Sequence, residues 1–169
     1  EALIPEHIFG YDDETLEEII GRLLVANNST LATAESCTGG NIAQLITSIA
    51  GSSDYFKGSV VAYSNEIKEK FLGVPRQTLI DHGAVSEQTV VAMAEGIKER
   101  FGTDYAIAVS GIAGPGGGTA EKPVGTTWIA IAAPEGTTAR KFLLGEHRGW
   151  NIRKASVTAL NMLREKLLE

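Results

Sequence analysis

Ser36 lies where a short extended segment gives way to a helical pattern of apolar residues. A hydroxyl at such a strand-to-helix turn can be held exposed, while backbone N–H groups of the turn stabilise a developing oxyanion. These features make Ser36 a candidate nucleophile and Cys37, Thr38, Gly39 and Gly40 candidate substrate-binding residues. The alternative is structural, because serine and threonine cap helices and paired glycines permit tight turns.

Cys37 is the only cysteine of the chain and a competing nucleophile. A lone thiol beside a helix is more often a packed apolar residue, so we favour the serine. The three histidines, His7, His82 and His147, lie far apart and do not form a metal-binding spacing. The sequence thus predicts neither a metal site nor a cofactor. A single cysteine cannot form an internal disulfide, which is typical of a cytoplasmic protein.

A serine nucleophile needs a base, and the sequence offers Tyr63 and Lys68 where a predicted strand ends and a helix begins. Lysine can act as a base only when neutral, which burial achieves by lowering its pKa. The pattern around Lys68, with Glu69 and Lys70 beside it, is instead typical of a helix face turned to solvent. Tyr63 would be a core aromatic residue in most strands.

A glycine-rich loop, residues 110–118, follows an apolar strand and brings Ser110, Gly111 and Gly114 to its end. Glycine lets backbone N–H groups approach an anion without obstruction by a Cβ atom. The loop contains neither a Walker sequence nor GxGxxG, so the standard nucleotide-binding motifs are excluded. Its two interpretations are an anion-binding loop and a flexible surface loop.

Arg148 and Arg153 flank the start of the last predicted helix, where a planar guanidinium can bind a phosphate. Surface ion pairs are the alternative for both residues. Glu35 precedes the candidate nucleophile within a short strand, where it can orient a neighbouring group.

Apolar periodicity predicts helices alternating with buried strands, followed by one β-hairpin. The predicted helices begin near residues 12, 42, 66 and 86, a further short segment runs from Pro75 to Gly83, and the last helix begins between Arg148 and Arg153. The predicted strands cover residues 30–35, 59–63, 105–109, 126–133 and 137–144. This order implies a three-layer α/β/α domain with a mixed β-sheet. Ligands bind such sheets beyond the carboxyl ends of the strands, so both motif loops are expected to face one cleft.

The chain has 169 residues, 43% of them hydrophobic, and a formal net charge of -6. The length matches one domain, and the negative charge argues against nucleic acid as a partner. Neither a membrane-spanning run nor a signal peptide is predicted. Residues 1–12 are expected to be a linker or interdomain remnant, and residues 13–169 the folded domain.

Five motifs, in this order, closely resemble the CinA C-terminal domain, the PncC-type nicotinamide-nucleotide amidase family. They are residues 33–40 (TAESCTGG), 63–66 (YSNE), 82–87 (HGAVSE), 110–115 (SGIAGP) and 122–126 (KPVGT). The resemblance covers the chain from about residue 13 to its end.

The resemblance implies metal-free hydrolysis of nicotinamide mononucleotide to nicotinic acid mononucleotide and ammonia, within pyridine nucleotide salvage. It implies Ser36 as the nucleophile, Tyr63 and Lys68 as its proton-handling partners, and an oxyanion held by N–H groups near Cys37 to Gly40. The glycine loop and an arginine would hold the phosphate. The resemblance also implies a homodimer and, in longer relatives, an N-terminal pyrophosphatase domain. A nucleotide-binding regulatory module without turnover is the alternative function.

Overall fold

The computed structural model describes residues 14–169, which contain a five-stranded sheet and six α-helices. The strands are β1 (Leu31–Glu35), β2 (Phe56–Val61), β3 (Tyr105–Gly111), β4 (Thr126–Ala133) and β5 (Gly136–Leu143). The helices are α1 (Leu16–Ala26), α2 (Asn41–Thr47), α3 (Asn65–Leu72), α4 (Arg76–His82), α5 (Glu87–Phe101) and α6 (Arg148–Leu167).

The sheet has the strand order β2-β1-β3-β4-β5. The strand that follows β1 in the chain, β2, lies on one side of it, and the next strand, β3, lies on its other side, so the strand order reverses at β1. β1 pairs in parallel with both β2 and β3, whereas β4 pairs antiparallel with β3 and β5. The mixed sheet and its terminal hairpin confirm the sequence prediction. The switch point next to β1 is where ligands collect in open α/β sheets.

Alternating residue size along the central strands divides the core into two layers. In β3, Ile107 and Val109 face the core beneath α1, α2 and α6, whereas Ala106 and Ala108 face the core beneath α3, α4 and α5. β4 repeats the pattern with isoleucine on one face and alanine on the other. Helices therefore cover both faces of the sheet, which confirms the three-layer α/β/α architecture.

Two element boundaries differ from the prediction. α1 begins at Leu16 because Thr15 and Glu18 form a reciprocal capping box, with the Thr15 hydroxyl accepting from the Glu18 N–H. The predicted linker, residues 1–12, lies outside the described residues. β2 begins at Phe56 and ends at Val61, so Tyr63 lies in the connection to α3 rather than in a strand.

α6 is 20 residues long and amphipathic, with a buried face that includes Ala155, Ala159 and Leu163. Its opposite face carries exposed charges such as Arg153 and Lys154. None of the helices within residues 14–169 is at once long enough and apolar enough to cross a lipid bilayer.

Gly96 of α5 lies against the carbonyl of Leu72, which ends α3. A Cβ atom at position 96 would lie 1.7 Å from that oxygen, so the backbone would have to move. We expect Gly96→Ala to lower the free energy of unfolding by at least about 2 kcal/mol, measured by chemical denaturation. Glu95→Ala, on the exposed side of α5, should change it by less than about 0.5 kcal/mol. Equal stability of the two variants would contradict this close packing.

Candidate active site

A cavity of about 300 Å³ opens beyond the carboxyl ends of β1, β2 and β3. Ser36 and Lys68 line its inner wall, and the glycine-rich loop forms another wall through residues that include Gly111 and Gly114. The prediction that both motif loops face one cleft is therefore confirmed. The parallel register of β1 with both neighbours produces this convergence, because their carboxyl ends lie at one edge of the sheet.

Ser36 and Lys68 are in direct contact in the cavity wall. Lys68 Nζ donates to Ser36 Oγ at 3.1 Å and to the Ala62 carbonyl at 2.7 Å. The Ser36 N–H donates to the carbonyl of Val109 at 3.0 Å, which fixes the backbone of this candidate nucleophile against β3. Both side chains are buried, so the serine hydroxyl has a basic nitrogen at hydrogen-bond distance, away from bulk water.

Lys68 is 1% exposed, contrary to the solvent-facing position that its charged neighbours favoured. The hydroxyl of Ser64 caps α3, and Lys68 and Leu72, four residues apart, occupy its buried face. Burial lowers the pKa of Lys68 below its ordinary value of 10.5, an effect opposed by the negative charge of an ionised Cys37. A neutral Lys68 can accept a proton, whereas an ordinary surface lysine cannot at neutral pH.

Cys37, the competing candidate nucleophile, is buried next to Ser36, and its sulfur packs close to Gly111. Burial raises the pKa of its thiol to about 11, with a smaller contribution from the carboxylate of Glu35. The thiolate is the nucleophilic form of cysteine, so the structure favours Ser36 over Cys37 as nucleophile.

Known proteins share both the sequence and this architecture. Residues 13–167 match the model of the CinA C-terminal domain. This chain belongs to the CinA C-terminal domain family. A CinA-like protein of Cytophaga hutchinsonii is 50% identical over 166 residues, which are 98% of this chain and 40% of that protein. The chain therefore spans well under half of such relatives.

Solved structures of CinA proteins match almost end to end. The competence damage-inducible protein A of Klebsiella pneumoniae has 40% sequence identity and a TM-score of 0.88, covering 91% of this chain and 96% of that one. The competence/damage inducible protein CihA of Agrobacterium tumefaciens has 39% identity and a TM-score of 0.83, covering 95% and 100%. The α/β/α fold of this CinA domain is thus that of the family.

Two N–H groups of the turn after Ser36 are engaged in hydrogen bonds. The N–H of Gly39 donates to the Ser36 carbonyl at 3.1 Å, and that of Gly40 donates to the Glu35 carboxylate at 3.0 Å. Within residues 14–169, the N–H groups of Cys37 and Thr38 donate to no other residue.

Tyr63 and Arg148 meet at the rim of the cavity, which both of them line. Arg148 donates through Nη2 to the Tyr63 hydroxyl and through Nη1 to the Gly114 carbonyl, both at 2.9 Å. Tyr63 is 61% exposed and, within residues 14–169, makes no hydrogen bond to Ser36 or Lys68. Arg148 therefore connects the chain after β2 with the glycine loop, and Lys68 is the direct partner of the serine.

Of four other residues predicted to contact the substrate, two lie outside the cavity lining, Arg153 and Thr38, and two belong to it, Ser110 and Gly111. Arg153 is exposed on α6 and is absent from the cavity lining, because it lies more than one turn beyond Arg148. Thr38 is buried and also outside the lining. The Ser110 hydroxyl lines the cavity but donates to the Ala84 carbonyl at 2.7 Å. Gly111 lines the cavity, where a side chain would collide with neighbouring atoms.

Several cavity residues were missed by sequence reasoning. Asn65, the first residue of α3, lines the cavity together with Ala84, Val85 and Ile112. All four lie within or beside the motifs that carried the family resemblance, so the motif boundaries were the available signal. Within the described part of the chain, no three His, Cys, Asp or Glu side chains come together as a metal-binding group.

Proposed function

We propose that this CinA domain hydrolyses the carboxamide of nicotinamide mononucleotide, giving nicotinic acid mononucleotide and ammonia. The observation that carries the proposal is the buried contact of 3.1 Å between Lys68 Nζ and Ser36 Oγ. A serine paired with a lysine of lowered pKa is equipped for acyl transfer without a histidine. The names of these relatives specify no substrate, so the choice of substrate rests on the sequence resemblance and on the chemistry of the cavity.

Acylation begins when neutral Lys68 takes the proton of the Ser36 hydroxyl and Oγ attacks the carboxamide carbon. The carbonyl oxygen becomes an oxyanion, for which the N–H group of Cys37, a residue that lines the cavity, is the donor we propose. Collapse of this intermediate breaks the C–N bond. The leaving nitrogen receives the proton held by Lys68 and departs as ammonia, leaving an ester on Ser36.

Deacylation repeats these steps with water as the nucleophile. Lys68 removes one proton from the water as its oxygen attacks the ester carbon, and a second oxyanion forms in the same place. When the intermediate collapses, Ser36 Oγ leaves and recovers the proton from Lys68. The product is the carboxylic acid, which ionises in solution.

The cavity rim can hold the phosphate of the substrate. Arg148 is the cation there, because Lys68 is buried beside the serine and its pKa is lowered. Gly116 and Gly117 also line the cavity, and among the described residues their N–H groups make no hydrogen bond. A guanidinium and free N–H groups form a suitable environment for a phosphate dianion.

The direct test is ammonia release from nicotinamide mononucleotide, with the nucleotide product identified by chromatography. We expect turnover by residues 1–169 without added metal or cofactor. Calorimetric titration with the same compound separates the alternative function. Tight binding without ammonia release would favour a nucleotide-binding regulatory module over an amidase.

Replacing Arg148 should weaken substrate binding more than it slows catalysis. We expect Arg148→Ala to raise KM by about 10- to 100-fold, because a charge-assisted bond to phosphate is worth about 1.5–3 kcal/mol. The matched control is Arg153→Ala, which removes the same charge from an exposed position outside the cavity lining. Equal steady-state kinetics for the two variants would exclude Arg148 as the phosphate ligand.

A further inference from the structure

Glu35 is a fully buried carboxylate immediately before the proposed nucleophile, with 0% of its surface exposed. Its side chain extends to the start of α2, where Oε2 accepts from the N–H groups of Gly40 and Ile42 at 3.0 and 3.1 Å. Oε1 accepts from the N–H of Ala43 at 2.8 Å. No ion pair of Glu35 occurs within residues 14–169.

These three hydrogen bonds explain why a carboxylate is tolerated in the core. The first N–H groups of a helix have no partner within the helix, and burial without a partner is costly for them and for a carboxylate. The Glu35 carboxylate provides acceptors for the N–H groups at the start of α2, and these N–H groups provide donors for the carboxylate. Both carboxylate oxygens are consequently engaged by backbone N–H groups, which hold the side chain of Glu35 in one position.

The bonds close a ring around the turn that carries Ser36. Glu35 immediately precedes the turn, and its carboxylate accepts from the N–H of Gly40 at the other end of the turn, where φ is +97°. Inside the ring, the Gly39 N–H donates to the Ser36 carbonyl. This arrangement occupies the N–H groups of Gly39 and Gly40, whereas among residues 14–169 those of Cys37 and Thr38 donate to no other residue.

Glu35 also contacts the chain segment that places the base. Its carbonyl accepts from the N–H of Ala62 at 2.7 Å, and the Ala62 carbonyl accepts from Lys68 Nζ at 2.7 Å. The side chain of Glu35 therefore fixes the nucleophile's turn, while its main chain fixes the acceptor that orients Lys68.

From these contacts we infer that Glu35 is a positioning residue, whose carboxylate holds the Ser36 turn in the geometry required for attack on the substrate. The inference rests on the proposed serine mechanism. It assigns to Glu35 no contact with the substrate. A shift of the turn would misplace both Oγ and the N–H group that faces the oxyanion, which lowers the rate of the chemical step.

The test is Glu35→Gln, which keeps the size of the side chain but replaces one acceptor oxygen by an NH₂ group facing a backbone N–H. We expect kcat for nicotinamide mononucleotide to fall by about 10- to 100-fold, because misplacement by about 1 Å can cost that much. KM should stay within about twofold and the midpoint of the pH–rate profile should not move, because Lys68 and Arg148 are unchanged. Glu66→Gln, an exposed position in α3, is the matched control.

A second readout separates this inference from the choice of substrate. A fluorophosphonate probe forms a P–O bond with Ser36 and releases fluoride, with the hydroxyl proton passing to Lys68, and it needs no amide substrate. We expect Glu35→Gln to slow labelling of Ser36 by at least about tenfold relative to Glu66→Gln. If the wild-type protein is labelled but releases no ammonia, the amidase proposal is refuted, while slower labelling of Glu35→Gln than of Glu66→Gln would still support the role of Glu35.

Thermal unfolding shows whether the variant is folded, so both rates are compared per folded molecule. A Glu35→Gln protein that unfolds at a lower temperature but has wild-type kcat and labelling rate would show that the carboxylate stabilises the fold only. That result would overturn the inference. Reduced kcat with unchanged KM and pH midpoint supports it.

Discussion

Replacing Ser36 with alanine should reduce ammonia release from nicotinamide mononucleotide by about 10⁴-fold or more, because no acyl-enzyme can form. The substitution removes one oxygen atom from a cavity wall. Lys68 Nζ keeps its bond to the Ala62 carbonyl, so the thermal midpoint should change by only a few degrees. Turnover is measured per folded molecule. As an independent check, the ester intermediate on Ser36 of the wild-type protein is trapped and detected by mass spectrometry.

The matched control for this result is Cys37→Ala, one residue further along the same turn. The raised thiol pKa of about 11 leaves only about one thiol in a thousand ionised at pH 8. We therefore expect kcat of Cys37→Ala to remain within about threefold of the wild type, since the variant keeps Ser36 and its contact with Lys68. Activity retained in Ser36→Ala but lost in Cys37→Ala would reverse the assignment of the nucleophile.

Sequence periodicity was sufficient for the architecture because the central strands follow simple physical rules. Residues 105–109 are apolar throughout, as expected for a strand covered on both faces, and the structure places helices on both sides of it. The position of Ser36 at the end of β1 could also be predicted, because glycines and then helical spacing follow it. These signals are local in the chain.

The details that give the site its chemistry depend on contacts between distant residues. The sequence favours a surface position for Lys68 because two charged residues, Glu69 and Lys70, follow it. Its spacing of four residues from Leu72 nevertheless places it on the buried face of α3. Its partner Ser36 is 32 residues away. The sequence indicated that Glu35 can orient a neighbouring group, but not that its carboxylate accepts from the first N–H groups of α2, because that contact depends on the chain reversing direction after Ser36.

Replacing Lys68 with methionine should lower kcat by about 10³-fold, which is the usual contribution of a general base. Methionine fills a volume similar to that of lysine. The substitution loses the two hydrogen bonds of Lys68 Nζ, which lowers the free energy of unfolding, but it also removes the cost of burying the amine, which offsets that loss. We therefore expect the variant to fold, which circular dichroism and thermal unfolding would verify. Lys70→Met, on the exposed side of α3, is the control and should retain wild-type activity.

The pH dependence separates a base from a residue that only fills space. Burial lowers the pKa of Lys68, so the neutral form becomes abundant below the ordinary value of 10.5. The rate should rise as pH increases through this lowered pKa and then level off, because deprotonation creates the active form. The free energy of unfolding should increase with pH between the lowered pKa of folded Lys68 and its ordinary value of 10.5. In this interval the Lys68 amine is protonated in the unfolded chain but neutral in the folded one, so raising the pH favours the folded state. The residual activity of Lys68→Met should lack the rise. The same midpoint in that variant would show that another group supplies the base.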